Sequence, residues 1–215
     1  MKFTKNDLIE LKHNQILTQN SKMRKTSKEN NIRLYNFGIT AYKSHSTGKI
    51  TCPFADTCIK LCYANKGSYI WTNTKKAYEK RYLLSKDSEL FKSKMTEAII
   101  RRKATHIRIH DSGDFYNFEY IKNWFEIMLQ FPKVKFYAYT KSKKLFDLVS
   151  GKPSNFVLIY SLGSKFDNLI DVNKDRHSKI FYSMEEMLKQ GYIDASSDDL
   201  LAINTNNNKI GLLIH

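Results

Sequence analysis

The chain has 215 residues, 41% of them hydrophobic, with only 8 glycines and 3 prolines. That is enough apolar material for one cored domain, and too little Gly and Pro for a disordered or repetitive chain. Lys and Arg number 36 against 21 Asp and Glu, a formal charge of +15, which points either to a polyanionic partner such as nucleic acid or a nucleotide, or to a dispersed, solvated surface.

Residues 1–35 read as a basic N-terminal extension, with a short helix at 5–17 and a cationic run, KMRKTSK, at 22–28. The opening residues, MKFTKNDLIELKHNQ, lack the apolar core of a secretory signal. No stretch reaches the ~18 apolar residues that span a bilayer, so no membrane partner and a cytoplasmic setting are expected. Residues 36–215 read as a single α/β domain. NFGITAY (36–42) has strand character, Thr72–Ser85 and Ser88–Lys103 read as helices, and Ser88 is placed to cap the second, with Leu90, Met95, Ala98 and Ile99 on its apolar side. HIRIH (106–110) alternates as a strand does, which puts Arg108 and His110 on the same side. Phe118, Ile121, Trp124, Phe125 and Met128 share one face of a helix over 117–131 that Pro132 stops.

VKFYAYT (134–140) is the next strand, KKLFDLVSG a short helix, NFVLIYSLG (155–163) a strand, KIFYS (179–183) a fifth strand, MEEMLKQG (184–191) a helix, NTNNN (204–208) a turn and KIGLLIH (209–215) a sixth strand. Strands alternating with helices imply βαβ units and a mainly parallel sheet. Six units of ~30 residues suit a partial (β/α)6 barrel or an open doubly wound sheet; a closed eight-fold barrel needs ~250 residues.

Both architectures put their chemistry at the carboxyl ends of the strands. After the first strand come all three cysteines, in TCPFADTCIKLCYA (51–64), with spacing C-x5-C-x3-C at Cys52, Cys58 and Cys62. After the second comes His110-Asp111-Ser112-Gly113-Asp114-Phe115, after the third Lys141, and after the fourth Ser161. Soft thiolates this close suit zinc or an iron–sulfur cluster. A closed zinc site wants four protein ligands, and His45 is a candidate fourth. A cluster held by three cysteines keeps one iron open for a small molecule. Asp111 or Asp114 can alternatively cap the helix that begins near Asn117.

A strand, a three-cysteine loop, a helix and then a strand ending in a Gly-acid turn resemble the radical S-adenosylmethionine (AdoMet) superfamily. CPFADTCIKLCYA, IRIHDSGDF and FYAYTKS, with the NSKM and NFGI segments, more narrowly resemble the phage "gene product 88" family, which implies a bacterial or phage-infected host cell. The superfamily resemblance implies that Cys52, Cys58 and Cys62 hold one 4Fe–4S cluster whose open iron chelates AdoMet. It implies that Ser112, Gly113 and Asp114 contact that cofactor, Asp114 through the ligand ammonium. Lys141 would meet a carboxylate or phosphate, Ser161 a ribose hydroxyl, and His110 would stand in the lumen beside Arg108. The implied activity is reductive cleavage of AdoMet to act on a substrate, for which the charge points to a nucleotide or nucleic acid.

Two readings compete. One is a zinc-stabilised, basic nucleic-acid-binding module whose Tyr and Phe, interleaved with Lys over 134–144, stack bases. The other is a metal-dependent nuclease that uses His110, Asp111 and Asp114.

Overall fold

In the computed structural model, which describes residues 1–213, seven strands form one sheet: β1 (Leu34–Phe37), β2 (His106–Ile109), β3 (Lys135–Thr140), β4 (Phe156–Ser161), β5 (His177–Phe181), β6 (Ile193–Asp194) and β7 (Lys209–Leu213). Every pairing is parallel and the order is β1-β2-β3-β4-β5-β7-β6. The sheet is open, with β1 and β6 at its edges, the partial-barrel α/β architecture that strand–helix alternation implies. The two-residue β6 escapes a periodicity reading because it is too short to alternate, and β7 inserts between it and β5. Ile214 and His215, at the end of the expected last strand, lie outside the described residues.

Strand alternation sorts the side chains into two layers. Phe37, Ile107, Ile109, Phe136, Ala138 and Phe156 face the helices 72–84, 88–102 and 118–130 in the main core. In that layer Trp124 packs edge to face on Phe37 and Phe91, and those two rings are tilted against each other, at centroid distances of 5.3–5.5 Å. Each such fully buried aromatic contributes about 1.5–3 kcal/mol. Leu34, Tyr137, Ile159 and Ile210 face the other way, against Met23 of the helix 21–29 and Leu200, Ala202 and Ile203 of the helix 199–204.

Residues 1–35, expected as an extension, are therefore part of the fold. Leu8, Leu11, Ile16 and Leu17 are buried in the main core, Met23 in the second, and Leu34 and Tyr35 already belong to β1. The expected helix at 5–17 is two short ones, Lys5–Ile9 and His13–Ile16. Capping also differs. Asp87, not Ser88, caps the helix 88–102, accepting from Leu90 N at 3.1 Å. Neither Asp111 nor Asp114 caps the helix 118–130, because Asn117 accepts from Tyr120 N at 2.9 Å. Phe118, expected on that helix's buried face, is at the exposed margin, while Tyr120 and Ile127 are buried.

Candidate functional site

The segment between β1 and the helix 72–84 crosses the carboxyl edge of the sheet as a strap. Its first part is latched by Glu79, whose carboxylate accepts from Thr40 Oγ1, Ser44 Oγ, Ser46 Oγ and the amides of His45 and Ser46. Its cysteine-bearing part is clipped to the segment after β4. Ala55 pairs with Ser164, Lys165 N donates to Phe54 O at 3.0 Å, and Ser164 Oγ donates to Phe54 O at 3.2 Å. The strap thus runs from the end of β1 to the end of β4.

Beneath it lies a cavity of ≈ 220 Å³. Cys52, Cys58 and Cys62 wall it, together with Ser112, Gly113, Asp114, Lys141 and Ser161. Residues from four separate strand ends therefore meet in one space. All three cysteines are free thiols. Cys58 opens a one-turn helix and Cys62 closes it, a spacing that puts both on one side. Cys52 Sγ accepts from Tyr42 N at 3.4 Å. Burial, and then the Asp114 carboxylate, push the Cys52 thiol up to about 12, and burial also raises that of Cys58. Burial thus favours the protonated form of the Cys52 and Cys58 thiols, and a bound cation is what would displace those protons.

Among the described residues, no three His, Cys, Asp or Glu side chains close around one point to hold a single metal ion. His45, the candidate fourth zinc ligand, is exposed and lines a neighbouring cavity that contains none of the cysteines.

The turn after β2 is shaped by what it must avoid. Gly113 has φ +83°, and a Cβ there would stand 2.2 Å from Ile39 Cγ1. Only glycine supplies that backbone at that approach. The turn is stitched to its neighbours by Ile39 N donating to Ser112 O at 2.9 Å and Asp114 N to Thr51 O at 3.2 Å, next to Cys52. Asp114 is buried. Its Oδ1 accepts from Thr140 Oγ1 (2.5 Å) and Phe115 N (2.7 Å), and its Oδ2 accepts from Lys141 N (2.8 Å). Burial raises this carboxyl, and the three hydrogen bonds hold it back. Lys141 Nζ donates to Ser161 O (3.2 Å) and Leu162 O (2.8 Å). Ser161 Oγ accepts from Ser178 Oγ at 3.2 Å.

His110 departs from its expected place. Strand parity would turn it toward the same side as Arg108, but its φ is +67°. The imidazole instead bonds Tyr120 OH through Nε2 at 2.9 Å and packs against Phe115 at 4.7 Å. Burial holds it down to about 3, so it is neutral. Asp111 turns to a third set of partners, accepting from Tyr78 OH (2.6 Å) and Tyr69 OH (3.2 Å), with Oδ1 buried and unpartnered. A Cβ at Gly38 would meet that Oδ1 at 1.9 Å, so the glycine makes room for the carboxylate. His110, Asp111 and Asp114 thus do not assemble as a nuclease triad. Tyr69 and Tyr78 carried no signal in the sequence, since tyrosines beside a helix start read as packing.

A family model described as "Gene product 88" matches residues 11–215. The "Gene 88 protein" of Mycobacterium phage L5 is 31% identical over 102 residues, covering 42% of this chain and 43% of that protein, so the match spans less than half of the relative. No solved structure matches the chain. Among the described residues no helix is long and apolar enough to cross a membrane.

Proposed function

The chain belongs to the gene product 88 family, and we propose that it is an iron–sulfur enzyme of the radical AdoMet kind, with Cys52, Cys58 and Cys62 as the ligands of one 4Fe–4S cluster. The observation that carries this reading is the shared cavity: three sulfurs from one strap and the polar ends of β2, β3 and β4 wall the same space. The donor set suits iron and sulfide, being all soft sulfur. A single tetrahedral zinc would draw its sulfurs to about 3.8 Å from one another, from a Zn–S bond of about 2.3 Å. A cluster spreads its ligands over a larger body, which fits thiols that share a wall without closing on one point. When bound with AdoMet, such a cluster supplies reductive cleavage and with it hydrogen abstraction from a substrate.

The remaining residues each keep one valence for a ligand. A carboxylate offers about four lone-pair sites, and Asp114 uses three, leaving one on Oδ2 for an ammonium. Lys141 spends two of its three N–H bonds on carbonyl oxygens, and the third is free for a ligand carboxylate or phosphate. Ser161 accepts from Ser178, which leaves its own O–H to donate to a ligand hydroxyl. Ser112 and Gly113 wall the space between these groups and the thiols. His110, neutral and engaged by Tyr120, shapes the wall without meeting a charge.

Anaerobic purification followed by metal, sulfide and absorption analysis tests the cluster. About four irons and four sulfides per chain, lost in Cys58→Ala, is the expected result; one zinc and no iron overturns it. Calorimetry with AdoMet on the iron-loaded protein tests the cofactor separately, and an absence of binding there removes AdoMet from the reading.

A further inference from the structure

The face of the sheet turned away from the long helices carries polar side chains that the cysteine chemistry does not use. Arg108 on β2 stands in register between Asn36 on β1 and Tyr137 on β3. Its Nη1 donates to Asp199 Oδ2 at 3.0 Å, and its guanidinium carbon lies 5.2 Å from the centroid of the Tyr139 ring. Asp199, buried at the start of the helix 199–204, also accepts from Lys22 Nζ at 2.9 Å and Tyr137 OH at 3.0 Å. Two cations share one carboxylate, so the cluster keeps one positive charge in excess.

Three donors in this group are buried with no partner: Arg108 Nε, Asn36 Nδ2 and Tyr139 OH. A buried donor left unmet costs about 1–3 kcal/mol, and more when it is charged. Three of them on adjoining strands, around an excess positive charge, call for a group that only accepts and is negative. Arg108 and Tyr139 wall the ≈ 220 Å³ cavity, and Asn36 stands beside Arg108 in register without lining it. A planar guanidinium with a free N–H is suited to carboxylate and phosphate oxygens.

We propose that Arg108 and Tyr139, with Asn36 beside the guanidinium, form an oxyanion subsite that binds the phosphate or carboxylate of a small-molecule substrate. The subsite goes beyond the cluster reading and does not depend on it, because anion binding here needs no metal. Its ion pair with Asp199 orients the guanidinium and lowers its net charge, so a single oxyanion neutralises the site. The helices 21–29 and 199–204, which supply Lys22 and Asp199, pack on the same face of the sheet as the subsite and back it there.

The full-length, metal-free protein is titrated by calorimetry with inorganic phosphate and, separately, with acetate at constant ionic strength. Saturable binding of either anion at one site is expected, with the preferred one naming the substrate's group. Tyr139→Phe, which removes one hydroxyl, weakens that binding about tenfold. The double variant Arg108→Met with Asp199→Asn removes both members of the ion pair, so neither charge is left buried alone, and abolishes it. Asn36→Leu provides a further loss should the double variant fail to fold, which circular dichroism reports. No saturable binding to the wild type overturns the subsite. Equal binding by wild type, Tyr139→Phe and Asn36→Leu overturns it as well, since the anion then sits on surface lysines.

Discussion

Glu79→Gln tests how firmly the strap holds the cysteines. Glu79 is buried on the helix 72–84, and its two oxygens accept five hydrogen bonds from residues 40–46. Oε1 takes Ser44 Oγ, Ser46 Oγ and Ser46 N; Oε2 takes Thr40 Oγ1 and His45 N at 3.0 Å. Glutamine has nearly the same shape, but one oxygen becomes an NH₂. Whichever position it takes, that amide confronts a backbone N–H, of His45 or of Ser46, that cannot turn away. Hydroxyls can rotate to accept; main-chain donors cannot.

One charge-assisted bond is lost and one buried donor is orphaned, while the other bonds weaken from charged to neutral, for a total of about 3 kcal/mol. With a urea m-value of about 2 kcal/mol/M, the midpoint falls by about 1.5 M. Hydrogen exchange at the His45 and Ser46 amides should accelerate with it. The loosening reaches the site through Thr51 Oγ1, which donates to Thr40 O at 2.6 Å beside Cys52, and through Tyr42 N on Cys52 Sγ, so a thiol reagent should label Cys52 faster. A stability loss under about 0.5 kcal/mol, the ordinary scale of a surface substitution, with both amides still protected would refute the latch.

Two other outcomes follow from the same geometry. Gly113→Ala forces a left-handed backbone on alanine and sets its Cβ against Ile39; it should cost about 2–4 kcal/mol in denaturant melts and lower any cluster occupancy, because Asp114 moves with the turn. Stability should fall as pH drops below the ordinary His value of 6.5, because His110 is held down to about 3 by burial and the unfolded chain takes up a proton that the fold refuses. Glu79 adds to the same slope at lower pH. Burial pushes its carboxyl up, but the bonds from Ser44, Ser46, His45 N and Thr40 outweigh that and set it below its ordinary value, so its contribution is lost as pH falls through the folded value. Urea midpoints from pH 7 to 4 check the His110 slope and an extension to pH 3 that of Glu79, and a flat profile from pH 7 to 4 would contradict the His110 assignment.

The legible parts of the site were those carried by local chemistry. Three cysteines in one short segment and the SGD turn after an alternating strand announce themselves, and the topology rule puts both at one sheet edge. Other parts depend on geometry that local sequence does not carry. His110 broke parity because one left-handed residue rotates the chain, and periodicity assumes none. Residues 1–35 read as a basic extension because lysines surround Leu8, Leu11, Ile16, Leu17 and Met23, whose burial depends on a sheet formed later in the chain. Asp199 gave no signal because its partners, Lys22 and Arg108, lie 177 and 91 residues away.

By itself, the amino-acid order determined the periodic elements, the parallel α/β class and the clustering of sulfur and polar residues at strand ends. These depend on neighbours within a turn or a strand, where backbone geometry links position to facing. Only the tertiary structure decided which of those residues share a cavity, which are already spent on partners and which buried donors are left over. Those outcomes depend on contacts between distant segments, where hydrogen-bond valence and space are allotted once the chain has closed on itself.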